Sequence, residues 1–170
     1  MTRFLQPDGH LHGVIVACQR ADGRWLLIRR SANVPAPLGV CFPGGGLDEG
    51  ETQAEAVVRE MREELDAEVV PVCCAWQYHA PERRLTLWGW LAELRSDHLV
   101  PSLDEVHEIL WLTADEIAMH PDVLPRTNIF IASVLQASQY RARYRHIEPR
   151  EHNLAHTPAP IAFPPPERSI

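Results

Sequence analysis

The chain has 170 residues, a formal net charge of -7 and a pI near 5.7. That length suits one domain with its own core, and the acidic balance argues against a nucleic-acid polymer as partner, because a phosphate backbone selects a basic face. No apolar run approaches the roughly 18 residues that would span a bilayer, and the opening MTRFLQPDGHLHG lacks the apolar heart of a secretory signal, so a cytoplasmic location is expected.

Two apolar runs open the chain, VIVAC at 14–18 and WLLIRR at 25–30, and the Asp22-Gly23 pair between them predicts a β-hairpin. Gly44, Gly45 and Gly46 follow Phe42-Pro43 and leave the backbone free to approach a ligand closely. Thr52 and Glu55 form a capping box that starts a helix near Gln53. Ala54, Val57, Val58, Met61 and Leu65 then recur at spacings of three and four, an apolar stripe for packing on a sheet. Residues 69–78 and 85–94 read as long strands joined through 81–84, and 109–112 as a short strand. Thr113 with Glu116 is a second capping box. A long helix is expected over 126–144, with Arg141, Arg143 and Arg145 at the negative end of its dipole. A single domain over 1–145 is followed by a proline-rich tail, 146–170, expected to be extended or disordered; a docking role and a loose terminus both stand open.

The chemistry concentrates on the first helix. Glu60, Glu63 and Glu64 share a stripe, and like charges at such spacing repel by about 0.2–0.5 kcal/mol per pair. A solvated acidic face, offset by Arg59 and Arg62, would explain that much. The upstream glycines change the reading. Gly45, five residues, Glu51, seven residues, then Arg59-Glu60-Met61, one residue, and Glu63-Glu64 follow the spacing of the Nudix box, and on these residues the chain resembles the Nudix hydrolase family. Two positions depart from the pattern: Asp66 stands at the closing glycine and the small Ala67 at the last apolar position. Aspartate tolerates the left-handed conformation better than most residues, so the helix end is expected to keep its geometry.

The resemblance implies an α/β/α sandwich with a mixed β-sheet, and metal-dependent hydrolysis of a phosphoanhydride bond in a nucleoside diphosphate linked to another moiety, such as a nucleoside triphosphate or nucleotide-sugar. The catalytic set it implies is Glu51, Arg59, Glu60, Glu63 and Glu64. The metal set is Glu60, Glu63 and Glu64 with the backbone carbonyl of Gly44, and the cofactor is Mg²⁺, with Mn²⁺ as substitute, a hard cation that takes carboxylate, phosphate and water oxygens. Arg59 is expected to organise the site by pairing with Glu51. The general base stays open between Glu60 or Glu64 and the later Glu105 or Glu108. The partner is a small nucleotide-type substrate, and a homodimer is open. The second reading is a non-catalytic module that binds a nucleotide or a protein partner; retention of Glu51, Glu60, Glu63 and Glu64 favours catalysis. Isomerisation of an isoprenoid diphosphate would need a reactive cysteine, which Cys41 and Cys73 do not obviously supply.

Substrate signals are thinner. LLIRRSANVPAPLGVCFPGG partly echoes the coenzyme A pyrophosphatases, but Pro35 stands where a second arginine is needed. Trp76, Tyr78, Trp88 and Trp90 are candidates for stacking on a base, against core packing. Arg29, Arg30, Arg83 and Arg84 are candidates for phosphate, against ordinary surface. His79 and His107 are expected near loops beside the box. Cys18, Cys41, Cys73 and Cys74 lack zinc or disulfide spacing and read as reduced.

Overall fold

The computed structural model describes residues 8–144, with side chains to residue 136. The proline-rich stretch 146–170, and the basic side chains at the end of the last helix, lie outside the described residues. The elements run β1 (Leu11–Ala17), β2 (Trp25–Arg30), β3 (Val40–Cys41), α1 (Gln53–Leu65), β4 (Val69–Ala80), β5 (Leu85–Leu94), β6 (Val106–Leu112), α2 (Ala114–Met119) and α3 (Pro125–Tyr144), with a 3-10 turn at Pro81–Arg83. Among the described residues no helix is long and apolar enough to cross a membrane.

Two three-stranded sheets form. The first, ordered β1-β5-β4, is mixed: β1 runs parallel to β5, and β4 antiparallel to it. The second, β3-β2-β6, is antiparallel. Side chains alternate faces along a strand, and β1 shows it: Val14 and Val16 pack with Met61 and Leu65 of α1, whereas Ile15 and Ala17 pack with Phe130 and Val134 of α3. The mixed sheet therefore lies between the two helices, the expected α/β/α layering.

The first turn corrects the hairpin expectation. Arg20 N–H donates to the Arg24 carbonyl at 2.8 Å, Gly23 N–H donates to the Arg20 carbonyl at 2.9 Å, and Gly23 takes φ 84°. The turn is made, but the strands beyond it do not form a ladder; they share a single bridge, Gln19 with Trp25, and a bond from Leu26 N–H to the Cys18 carbonyl at 3.0 Å. Both edges of β1 are already taken. One pairs with β5. The other meets the glycine turn, through Val16 N–H to Pro43 O at 2.9 Å, Val14 N–H to Gly45 O at 2.8 Å and Leu47 N–H to His12 O at 2.9 Å. With no edge left for it, β2 joins the second sheet.

Helix α1 starts and stops as its sequence dictates. Thr52 N–H donates to the Glu55 carboxylate at 2.8 Å, and Glu55 N–H donates back to the Thr52 hydroxyl at 3.3 Å. Asp66 sits left-handed at φ 49°, ψ 35°, its N–H bonded to the Arg62 carbonyl at 2.9 Å, while Ala67 N–H reaches the Met61 carbonyl at 3.1 Å. Ala56, Val57, Met61 and Leu65 are fully buried, each larger side chain contributing about 1.5–3 kcal/mol. Ala54 and Val58 are only half-buried. The face that turns inward carries Glu60 and Glu64 in their place.

Candidate active site

Burying two carboxylates one helical turn apart demands compensation, and the surrounding backbone supplies it. Glu60 and Glu64 are each 3% exposed. Glu64 Oε2 accepts the Gly44 N–H at 2.8 Å. Glu60 lies against Gly45, where an added Cβ would stand 2.6 Å from the carboxyl carbon, so only glycine admits this approach. Gly44, at φ 137°, is pressed against the Val14 carbonyl. Because β1 holds the glycine turn along its edge, and α1 packs on β1, the two halves of the site share one support.

Arg59 binds the acidic groups together. Its Nε and Nη2 fork onto Glu51 at 2.8 and 2.9 Å, Nη1 reaches Glu60 at 2.8 Å and Glu63 at 3.2 Å, and Nη2 also donates to the Gly46 carbonyl at 2.7 Å. Asp48, absent from the sequence-based set, adds a longer ion pair at 3.6 Å. The paired guanidinium is held charged, and its bonds hold the Glu51 carboxyl below the usual glutamate range. Glu63 remains half-exposed.

Burial dominates at the other two. It pushes Glu60 up to about 7 and Glu64 up to about 8, against the lowering effects of Arg59 and of the Gly44 N–H respectively. The charge of Glu105 adds to the rise at both, and the loop that carries it is bonded to α1 through Ser102 N–H and the Glu64 carbonyl at 2.8 Å. Glu108 does not share this position. It is exposed on β6 and accepts from Arg29 Nε at 3.1 Å across the strand pair.

The donor set suits a hard divalent cation, which takes carboxylate oxygens and relieves the repulsion between them. Among the described residues no three ligating side chains converge at bonding distance, since Glu60 is turned to Arg59 and Glu64 to the Gly44 N–H. Gly44 also contributes its N–H to the cluster, beside the carbonyl that the resemblance implies as a metal ligand.

The remaining candidates separate clearly. Arg29 is engaged by Glu108, by Asp122 at 2.8 Å and by the Leu38 carbonyl. Arg30 bonds the Pro35 carbonyl at 2.8 Å, and its charge reaches Glu64. Arg83 is exposed, and Arg84 closes the β4–β5 turn at φ 48°. Trp90 Nε1–H is bonded to Gln53 at 3.0 Å, and Trp88 meets the His12 ring edge-on. Trp76 stacks on Tyr78 with ring centres 5.8 Å apart, Phe130 lies 5.5 Å from Trp76, and the Arg126 guanidinium stands 5.0 Å over Tyr78. The first turn of α3 thus covers this aromatic stack, and in that turn the Asn128 carboxamide oxygen is buried without a hydrogen-bond partner. His79 pairs with Thr86 and stacks on His10, and His107 is exposed. No cysteine is in a disulfide; burial pushes the Cys41 thiol up to about 11, which suits packing and not nucleophilic chemistry.

A family model described as NUDIX domain matches residues 9–136. The 8-oxo-dGTP diphosphatase of Escherichia coli (strain K12) is 38% identical over 70 residues, 40% of this chain and 54% of that protein. The CTP pyrophosphohydrolase of the same strain is 29% identical over 110 residues, 64% of this chain and 80% of that one. The chain spans about half the length, or less, of the curated relatives it matches first, at 54%, 48% and 38%. The crystal structure of a MutT protein from Methanosarcina mazei Go1 has the same fold, with a TM-score of 0.68 at 22% identity over 76% of this chain and 96% of that one. A box with its arginine and four glutamates in place, on this sandwich and under a family match over most of the length, identifies the chain as a member of the NUDIX family.

Proposed function

We propose that the chain is a metal-dependent pyrophosphohydrolase that cleaves a phosphoanhydride bond of a soluble nucleotide in the cytoplasm, with nucleoside triphosphates ahead of nucleotide-sugars. The observation that carries this reading is the pair of buried carboxylates, Glu60 and Glu64, set against the Gly44-Gly45 backbone and tied through Arg59 to Glu51. A bound Mg²⁺ or Mn²⁺ would neutralise the diphosphate and lower the pKa of a coordinated water.

The chain's own groups do the rest. Arg59 ties Glu51 and Glu60 to one guanidinium, which limits how far the carboxylates have to move to meet a metal and substrate. The Gly44 N–H orients Glu64 through Oε2, which leaves Oε1 for a metal or a proton. Of the two later glutamates, Glu108 is spent on Arg29 from β6, while the charge of Glu105 acts on Glu60 and Glu64, so Glu105 joins Glu60 and Glu64 as a candidate proton acceptor. A nucleobase is favoured by the Trp76–Tyr78 stack and by the unpartnered Asn128 oxygen, which a ring or exocyclic N–H would satisfy. The names of two relatives, which act on 8-oxo-dGTP and CTP, support triphosphates as the first class to test.

The test is phosphate release, coupled through pyrophosphatase, from a panel of nucleoside triphosphates, nucleotide-sugars, dinucleotides and coenzyme A, with Mg²⁺, Mn²⁺ or chelator. Metal-dependent cleavage of one class is expected, with Glu64→Gln reducing it at least about 100-fold. Nucleotide binding with no turnover, unchanged by that substitution, would replace this proposal with a binding module.

A further inference from the structure

The loop that carries Glu105 is fastened from two sides. Val100 N–H donates to the Leu65 carbonyl and Ser102 N–H to the Glu64 carbonyl, each at 2.8 Å, so its first half rests on the last turn of α1. Its second half is held by one residue at the end of β2. Ser31 N–H donates to the Glu105 carbonyl at 2.8 Å, and the Ser31 hydroxyl donates to the Asp104 carbonyl at 2.6 Å. Ser31 is 4% exposed, and its Oγ also accepts the Asn33 N–H at 3.2 Å.

Two consecutive carbonyls bonded to a single residue fix the peptide between them, and with it the direction in which the Glu105 Cα–Cβ bond leaves the chain. A hydroxyl at this depth is costly unless it is used, and here both its donor and its acceptor capacity are occupied. Ser31 also follows directly on Arg30, whose charge acts on Glu64. The end of β2 is therefore tied to the helix that bears the carboxylates through the loop, which Ser31 holds at Glu105 and Glu64 holds at Ser102.

We propose that Ser31 is a positioning residue for Glu105: its hydroxyl bond to Asp104, beside its backbone bond to Glu105, aims the Glu105 carboxylate at Glu60 and Glu64. This assignment rests on the hydrolase reading above. Removing the hydroxyl leaves one anchor of the two, and a carboxylate that shifts by about 1 Å can lose most of its contribution.

The test is a double-mutant cycle on the full chain with Ser31→Ala and Glu105→Gln, read by Mn²⁺ affinity, by turnover and by amide exchange in the metal-free protein. Ser31→Ala is expected to weaken Mn²⁺ binding and to lower kcat about tenfold, with KM little changed, and to speed exchange at Asp104–Val106. In the Glu105→Gln background the same substitution should add nothing to the loss of Mn²⁺ affinity or kcat, while lowering Tm equally in both backgrounds. Ser31→Thr, which keeps the hydroxyl, should restore Mn²⁺ affinity; Ser31→Cys keeps the volume and serves if the alanine variant does not fold. Wild-type affinity and turnover in the alanine and cysteine variants, or losses that add in full to those of Glu105→Gln, would overturn the assignment. A wild-type protein that neither binds Mn²⁺ nor hydrolyses any nucleotide would overturn the hydrolase reading itself, before any variant is compared.

Discussion

Glu64 is held in a place that resists its charge, where burial pushes its carboxyl up to about 8, and Glu60 beside it reaches about 7. A raised carboxyl means that folding favours the protonated form. The stability this contributes is complete below the ordinary value near 4.5 and is lost as pH rises through about 7 and about 8. The acids held below the usual range, Asp8, Asp22, Glu51, Glu55 and Glu116, work in the opposite sense, but only as pH falls toward and below that same ordinary value. Between about pH 5 and 8.5 the two buried glutamates therefore set the trend among these acids. The Tm of metal-free protein in chelator is expected to fall across that range, and Mn²⁺ to stabilise more at the alkaline end, with proton release on binding. A Tm that rises steadily from pH 5 to 8.5 in chelator would refute this account of the site. Glu64→Gln keeps an acceptor for the Gly44 N–H but removes the buried charge. The metal-free variant should be at least as stable as wild type at pH 8.5, which differential scanning calorimetry reads directly.

At the scale of the element, α1 carries its own instructions. Thr52 with Glu55 starts it, and the left-handed Asp66 ends it where a glycine would be free of strain. Asp66→Gly should therefore stabilise the protein by about 0.5–1 kcal/mol, seen as a rise in Tm, while leaving turnover unchanged because glycine keeps the left-handed cap that closes the turn bearing Glu63 and Glu64. Such signals were legible because capping and helical spacing are settled within a few residues, and the box with them. The role of Arg59 was legible for the same reason, since Glu51, Glu60 and Glu63 are its near neighbours in the chain. Choosing between Glu105 and Glu108 was not. The path of the loop before β6 depends on Ser31, Glu64 and Leu65, all distant in sequence, which bond it on both sides. Arg29 and Arg30 are likewise alike in sequence, and alternation along the strand sends one to Glu108 and the other to the Pro35 carbonyl.

For the whole molecule, the sandwich followed from strands and helices in the expected order, yet the pairing between them did not. Asp22-Gly23 makes its turn, but a turn specifies a change of direction and not a partner, and the partners of β1 lie far along the chain. β3, two residues long, has no periodicity to detect, and it exists because β2 offers it an edge. The aromatic stack shows the same limit: Trp76 and Tyr78 were visible as aromatics, while the covering turn of α3 with Arg126 and Asn128 depends on packing. The doubly bonded β1 also has a temporal consequence. Its parallel neighbour is β5, so a chain leaving the ribosome has made the whole box, glycines and helix included, well before the strand that must settle beside β1 exists. Closing a loop of that length comes late and slowly. The motif is finished early in synthesis, and the sheet that supports it is completed only after most of the domain has emerged.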